Sequence, residues 1–98
     1  MCINLEKLVL NNNKIKKIEN VENLTLLKHL ELRSNRIDIW ENLEKLTNLV
    51  FLTLSTNLIR HIDSLSIHEH LIELGVFGNY LGYLLIIQEM IIMKNKID

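Results

Sequence analysis

A spacing constrains this chain more than any single motif does. Cut every 22 residues from Leu5, the sequence falls into four units with no insertion or deletion: LEKLVLNNNKIKKIENVENLTL, LKHLELRSNRIDIWENLEKLTN, LVFLTLSTNLIRHIDSLSIHEH and LIELGVFGNYLGYLLIIQEMII. Apolar residues hold unit positions 1, 4, 6, 11, 14, 17 and 20, with His68 the one exception. Position 9 is always asparagine: Asn13, Asn35, Asn57 and Asn79. A unit this short cannot bury its own apolar face, so the copies must stack on one another. The units run 5–26, 27–48, 49–70 and 71–92 within one domain spanning 1–98.

The skeleton also predicts the shape of each unit. L-x-L alternates with period two, which is a short strand with one face buried. Leu8 and Leu10, Leu30 and Leu32, Leu52 and Leu54, and Leu74 and Val76 then point inward. One strand per unit, all in one direction, builds a parallel sheet with strands about 4.8 Å apart. The later apolar slots recur every three residues, as in Ile15, Ile18, Val21 and Leu24, a spacing that suits tight turns or 3₁₀ helix. The asparagine stands where the chain leaves the strand, and its amide can satisfy backbone groups that the buried bend would otherwise orphan. Stacked asparagines form a ladder.

Composition narrows the function classes. Apolar residues make up 48% and charged residues 23% of the chain, which is globular and not disordered. The net charge of −1 argues against nucleic acid. The basic run Lys14, Lys16, Lys17 is followed at once by Glu19 and Glu22 and reads as a solvated turn. Cys2 is the only cysteine, so an intrachain disulfide and a zinc–cysteine site are both excluded. The N-terminus lacks the layout of a signal peptide, which predicts an intracellular protein, nuclear or cytoplasmic, and leaves the sequon Asn23-Leu24-Thr25 idle. The apolar run from Val76 to Met93 is interrupted by Asn79, Gln88 and Glu89 and weakened by Gly78 and Gly82, so no membrane span is expected.

Catalysis has no foothold, and no cofactor or metal is implied. The chain has no phosphate loop, no nucleophile elbow and no metal-ligand pair at helical spacing. His68-Glu69-His70 is the nearest thing to a site, but the template puts it on a turn and gives His68 a core slot. His29 and His61 lack a ligand set, and Trp40 fills a core slot at position 14.

The pattern L-x-x-L-x-L-x-x-N-x-I-x-x-I-x-x-L-x-x-L, met by Leu5–Leu24 with Val21 as a conservative change, resembles the 22-residue subclass of leucine-rich repeats. The resemblance runs from Leu5 to about Met90 and extends to the family of protein phosphatase 1 regulatory subunits built from such repeats. It implies an α/β solenoid, with a short-stranded parallel sheet on the concave face and 3₁₀ turns on the convex face. The implied function is that of a non-catalytic regulator or scaffold of the phosphatase 1 catalytic subunit. The spliceosomal A-prime protein and an axonemal dynein light chain share the subclass. A structural adaptor, or a fragment of a longer repeat protein, is therefore the alternative.

Residues alternating with the inward leucines face out from the sheet. They are Lys7, Val9 and Asn11, then His29, Glu31 and Arg33, then Phe51, Thr53 and Ser55, then Glu73, Gly75 and Phe77. His29, Glu31, Arg33, Phe51, Thr53, Glu73 and Phe77 are the candidate partner contacts. An outward phenylalanine either anchors a partner or covers its neighbouring strands. LELRSNRI resembles a phosphatase-binding repeat, which favours Glu31, while Thr53 and Gly75 depart from the aromatic or acidic residue common at their position. Only four residues precede Leu5, and GYLLIIQEMIIMKNKID loses the polar gaps of the earlier units. That surplus predicts either a cap, as a short helix folded over the open end, or a self-association surface.

Overall fold

The computed structural model describes residues 4–63 and 65–82, together with 87, 90, 91, 93 and 94. Cys2 and, in the C-terminal run, Leu84, Gln88 and Glu89 lie outside the described residues. Each unit contributes one strand: β1 Lys7–Val9, β2 His29–Glu31, β3 Phe51–Thr53 and β4 Glu73–Gly75. They pair in parallel in chain order, with Leu8, Leu30, Leu52 and Leu74 in register. A 22-residue step without slippage is what aligns them. A one-residue slip would turn every leucine outward.

Inward slots close the core. Leu27, Leu30, Ile37, Leu46, Leu49, Leu52, Leu54 and Leu65 are fully buried, and Trp40 lies among them. Each such leucine or isoleucine contributes about 1.5–3 kcal/mol over an exposed one. Behind the sheet, the three-residue spacing becomes hydrogen-bonded turns. Leu24 N–H donates to Val21 O (3.0 Å) and Leu27 N–H to Leu24 O (3.0 Å). The second unit repeats this at Leu46 and Leu49, and the third at His68 and Leu71. A 3₁₀ helix forms in the third unit, Leu65–Ile67; the first two units hold the same connection as successive turns.

The asparagines tie unit to unit. Asn57 Oδ1 accepts from Ile37 N–H at 3.0 Å, and its Nδ2 donates to the carbonyls of Leu32, Leu54 and Ser55 at 2.9, 2.9 and 3.3 Å. Asn35 bridges the first and second units in the same way, and Asn79 the third and fourth. Among the described residues, Asn13 bonds only within its own turn, to Leu10 O and Asn11 O. The residue before each asparagine sits in the left-handed region: Asn12, Ser34, Thr56 and Gly78, at φ of 60, 57, 57 and 73°. That conformation swings the chain out of the strand and aims the asparagine back beneath it.

The fourth unit leaves the template. Ile87 and Met90, inward slots by the repeat, are exposed, and with Ile91, Met93 and Lys94 they are helical. Met93 packs against the core. Without the polar gaps of the earlier units, the stretch Gln88, Glu89, Met90, Met93 and Lys94 supplies good helix formers among the isoleucines and favours helix over turns. No helix of the described residues is long and apolar enough to cross a membrane.

Candidate protein-interaction face

Alternation and register arrange the outward side chains in three rows across the sheet. Lys7, His29, Phe51 and Glu73 form one row, and Val9, Glu31, Thr53 and Gly75 the next. Asn11, Arg33, Ser55 and Phe77 follow where the strands end, linked by Asn12 N–H to Arg33 O, Ser34 N–H to Ser55 O and Thr56 N–H to Phe77 O.

The rows divide into a prearranged part and an open part. Glu31 Oε2 lies 2.6 Å from His29 Nε2, and Oε1 accepts from Asn11 Nδ2 at 2.7 Å. A carboxylate only accepts, so Nε2 of His29 carries the proton. These bonds, the one from His29 first and then that from Asn11, hold the Glu31 carboxyl below the usual carboxylate range against the opposing effect of burial. Asn11 Oδ1 accepts in turn from Arg33 N–H at 2.8 Å. The imidazole of His29 stacks on Phe51, its register partner, with centroids 4.3 Å apart and planes 5° from parallel. Asn11, Glu31, His29 and Phe51 thus form one connected, half-buried patch.

Several other outward side chains of the face are exposed. Phe77 is 78% exposed and Val9 48%; Lys7, Arg33 and Glu73 are exposed as well. The two phenylalanines therefore differ: Phe51 covers its neighbour, while Phe77 is presented whole. Thr53 is a correction. Alternation turns it outward, yet it is only 4% exposed and unavailable for contact. Its Oγ1 lies 3.4 Å from Ser55 Oγ and leans over the next strand, 2.6 Å from where a Cβ on Gly75 would stand. The missing side chain at Gly75 is what gives the threonine its room. Asn11 and Val9, absent from the predicted contact set, join the face; their outward position in the alternation was the available signal.

The remaining histidines do not converge. His68 is buried, its Nδ1 3.2 Å from Leu46 O, while His70 is exposed beside Glu69. Among the described residues no three His, Cys, Asp or Glu side chains are placed to hold a metal ion.

Parallel register, bridging asparagines and an open strand face make the described units a solenoid of stacked 22-residue repeats. Residues 3–43 match the family model described as Leucine Rich repeats (2 copies). Among solved structures, the chain is similar to an internalin (inlF) from Listeria monocytogenes str. 4b F2365, with 32% identity and a TM-score of 0.76 over 80% of this chain. That alignment spans 23% of the internalin chain, so this chain corresponds to less than a quarter of its length. No curated protein matches.

Proposed function

We propose that this chain is a non-catalytic protein-binding module that engages its partner through the open face of the sheet. The observation that carries this reading is Phe77: a large apolar side chain, 78% exposed, on the same outward face as a patch whose side chains are already locked in place. Aromatic residues dominate binding hot spots, and a face ordered before contact loses less entropy on binding. Val9, His29, Glu31, Arg33, Phe51, Glu73 and Phe77 make up the contact set.

The resemblance of LELRSNRI to a phosphatase-binding repeat supports the protein phosphatase 1 catalytic subunit as the partner, met in the nucleus or cytoplasm. Calorimetric titration of the folded chain with that subunit tests it. We expect binding that Phe77→Ala weakens by about 1–3 kcal/mol; the side chain is exposed, so its truncation leaves the fold intact. No heat of binding overturns the phosphatase reading. Binding indifferent to Phe77→Ala overturns the assignment of the face.

A further inference from the structure

Charge is sorted by position within the repeat. Six of the eleven lysines and arginines fall at unit positions 7–13: Lys14, Lys16, Lys17, Arg33, Arg36 and Arg60. Asp38 is the one carboxylate in that stretch. Positions 15–21 reverse the sign, with Glu19, Glu22, Glu41, Glu44, Asp63, Glu69 and Glu89 against Lys45 alone.

Stacking turns this pattern into a surface. Arg36 N–H donates to Ile15 O, Leu58 N–H to Ile37 O and Tyr80 N–H to Ile59 O, at 2.8, 2.8 and 2.9 Å. These bonds fix Lys14, Arg36, Leu58 and Tyr80 as neighbours in one exposed row along the edge where the strands end. Lys16 and Arg60 stand next to that row with Asp38 between them, Lys17 follows Lys16, and the Arg60 guanidinium lies 5.6 Å from the centre of the Tyr80 ring. Among the described residues, none of the six cations forms an ion pair with a carboxylate of the chain. Like charges at strand spacing repel, and an external anion would relieve that.

We infer that this edge is a second docking surface, distinct from the open face of the sheet, and that it takes an extended acidic peptide segment followed by apolar residues. The acidic part would lie over Lys14, Lys16, Lys17 and Arg36, and the apolar part over Leu58 and Tyr80, the latter held by Arg60. Four rows at about 4.8 Å span about 14 Å, the length of four to five extended residues. A single peptide strand keeps to the ridge. A polyphosphate backbone, which is broader, would meet the parallel acidic row of Glu19, Glu41 and Asp63 and be repelled.

Fluorescence anisotropy on the whole chain tests this, using a labelled hexapeptide of four glutamates and two leucines at low salt. A labelled hexathymidylate serves as the nucleic-acid arm. Binding of the peptide should weaken about tenfold in the double variant Lys14→Glu/Arg36→Glu, given the worth of exposed charge pairs. It should also weaken with added salt and in Tyr80→Ala, while Lys45→Glu, the same charge reversal off the ridge, leaves it within about twofold. No peptide binding at low salt overturns the inference, and so does binding that ignores the Lys14/Arg36 reversal. Tighter binding of the oligonucleotide overturns it in favour of nucleic acid. No phosphatase enters the assay and Phe77 is untouched, so its outcome is independent of the reading of the open face.

Discussion

At Asn57 a single side chain closes a bend shared by two units. Its Oδ1 is the acceptor for Ile37 N–H, and the site is buried, so truncation orphans that donor and removes three donations. Asn57→Ala should cost about 3 kcal/mol in urea denaturation. Asn13→Ala removes only local bonds at an exposed position and should cost no more than about 1 kcal/mol. Equal costs would mean that the bridging bonds carry no special weight. The residue before each asparagine makes the reverse case. Thr56 is β-branched and held at φ 57°, where non-glycine residues lose about 1–2 kcal/mol. Asn12 holds the equivalent place at φ 60°, and asparagine tolerates that region better. Thr56→Asn should therefore stabilise the chain by about 1 kcal/mol, a rise of about 4–8 °C in Tm by calorimetry. The asparagines are legible in the sequence because they never change. The left-handed position is not, because Asn, Ser, Thr and Gly share a backbone conformation there and no common side chain.

For β2, the strand carries charge chemistry as well as pairing. The Glu31 carboxyl titrates below its unfolded value because His29 and Asn11 hydrogen-bond its charged form. A depressed pKa adds stability that is fully present above the unfolded carboxyl value and fades as pH falls through the folded one. Glu31→Gln loses the charge and one of the two acceptor oxygens. The stability difference between wild type and Glu31→Gln should shrink on the acid side, below the ordinary carboxylate range, in pH-dependent urea titrations. A difference that stays flat through that window would remove the carboxylate from the account. Alternation makes the outward rows legible, but it does not give the exposure of each member. Thr53 is outward and buried because its neighbour is a glycine, and Phe51 is outward and half-covered because His29 stacks on it. Exposure on a sheet depends on cross-strand neighbours, which are known from sequence only once the register is fixed. The basic edge is hidden for a related reason. Lys14, Lys16 and Lys17 read as a solvated turn on their own, and they become a ridge only when Arg36 and Arg60 are stacked beside them.

Over the whole molecule, burial is uneven. Of the sixteen buried apolar residues among those described, thirteen belong to the second and third units; the first supplies only Ile18 and Val21. Leu10, Ile15, Ile18, Val21, Leu30 and Leu32 line a cavity of about 230 Å³ on the first unit's side, and among the described residues Asn13 bonds to nothing beyond its own turn. In a stacked repeat, stability is close to a sum of unit and neighbour terms, so a unit that buries little apolar surface opens at lower cost than one that buries much. Amide hydrogen exchange reads this directly. Leu10 and Asn12 N–H donate to Glu31 and Arg33 carbonyls, and Leu32 and Ser34 N–H donate in the same geometry to Thr53 and Ser55. All four are backbone bonds of 2.8–3.0 Å, so bond quality does not separate them and opening of the units does. Leu10 and Asn12 should exchange at least about tenfold faster than Leu32 and Ser34 in dilute solution. If the apolar surface of the first unit packs on a second copy, that gap should close as protein concentration rises, because covering that surface stabilises the unit. A gap that is absent in dilute monomer would mean that the four units open as one.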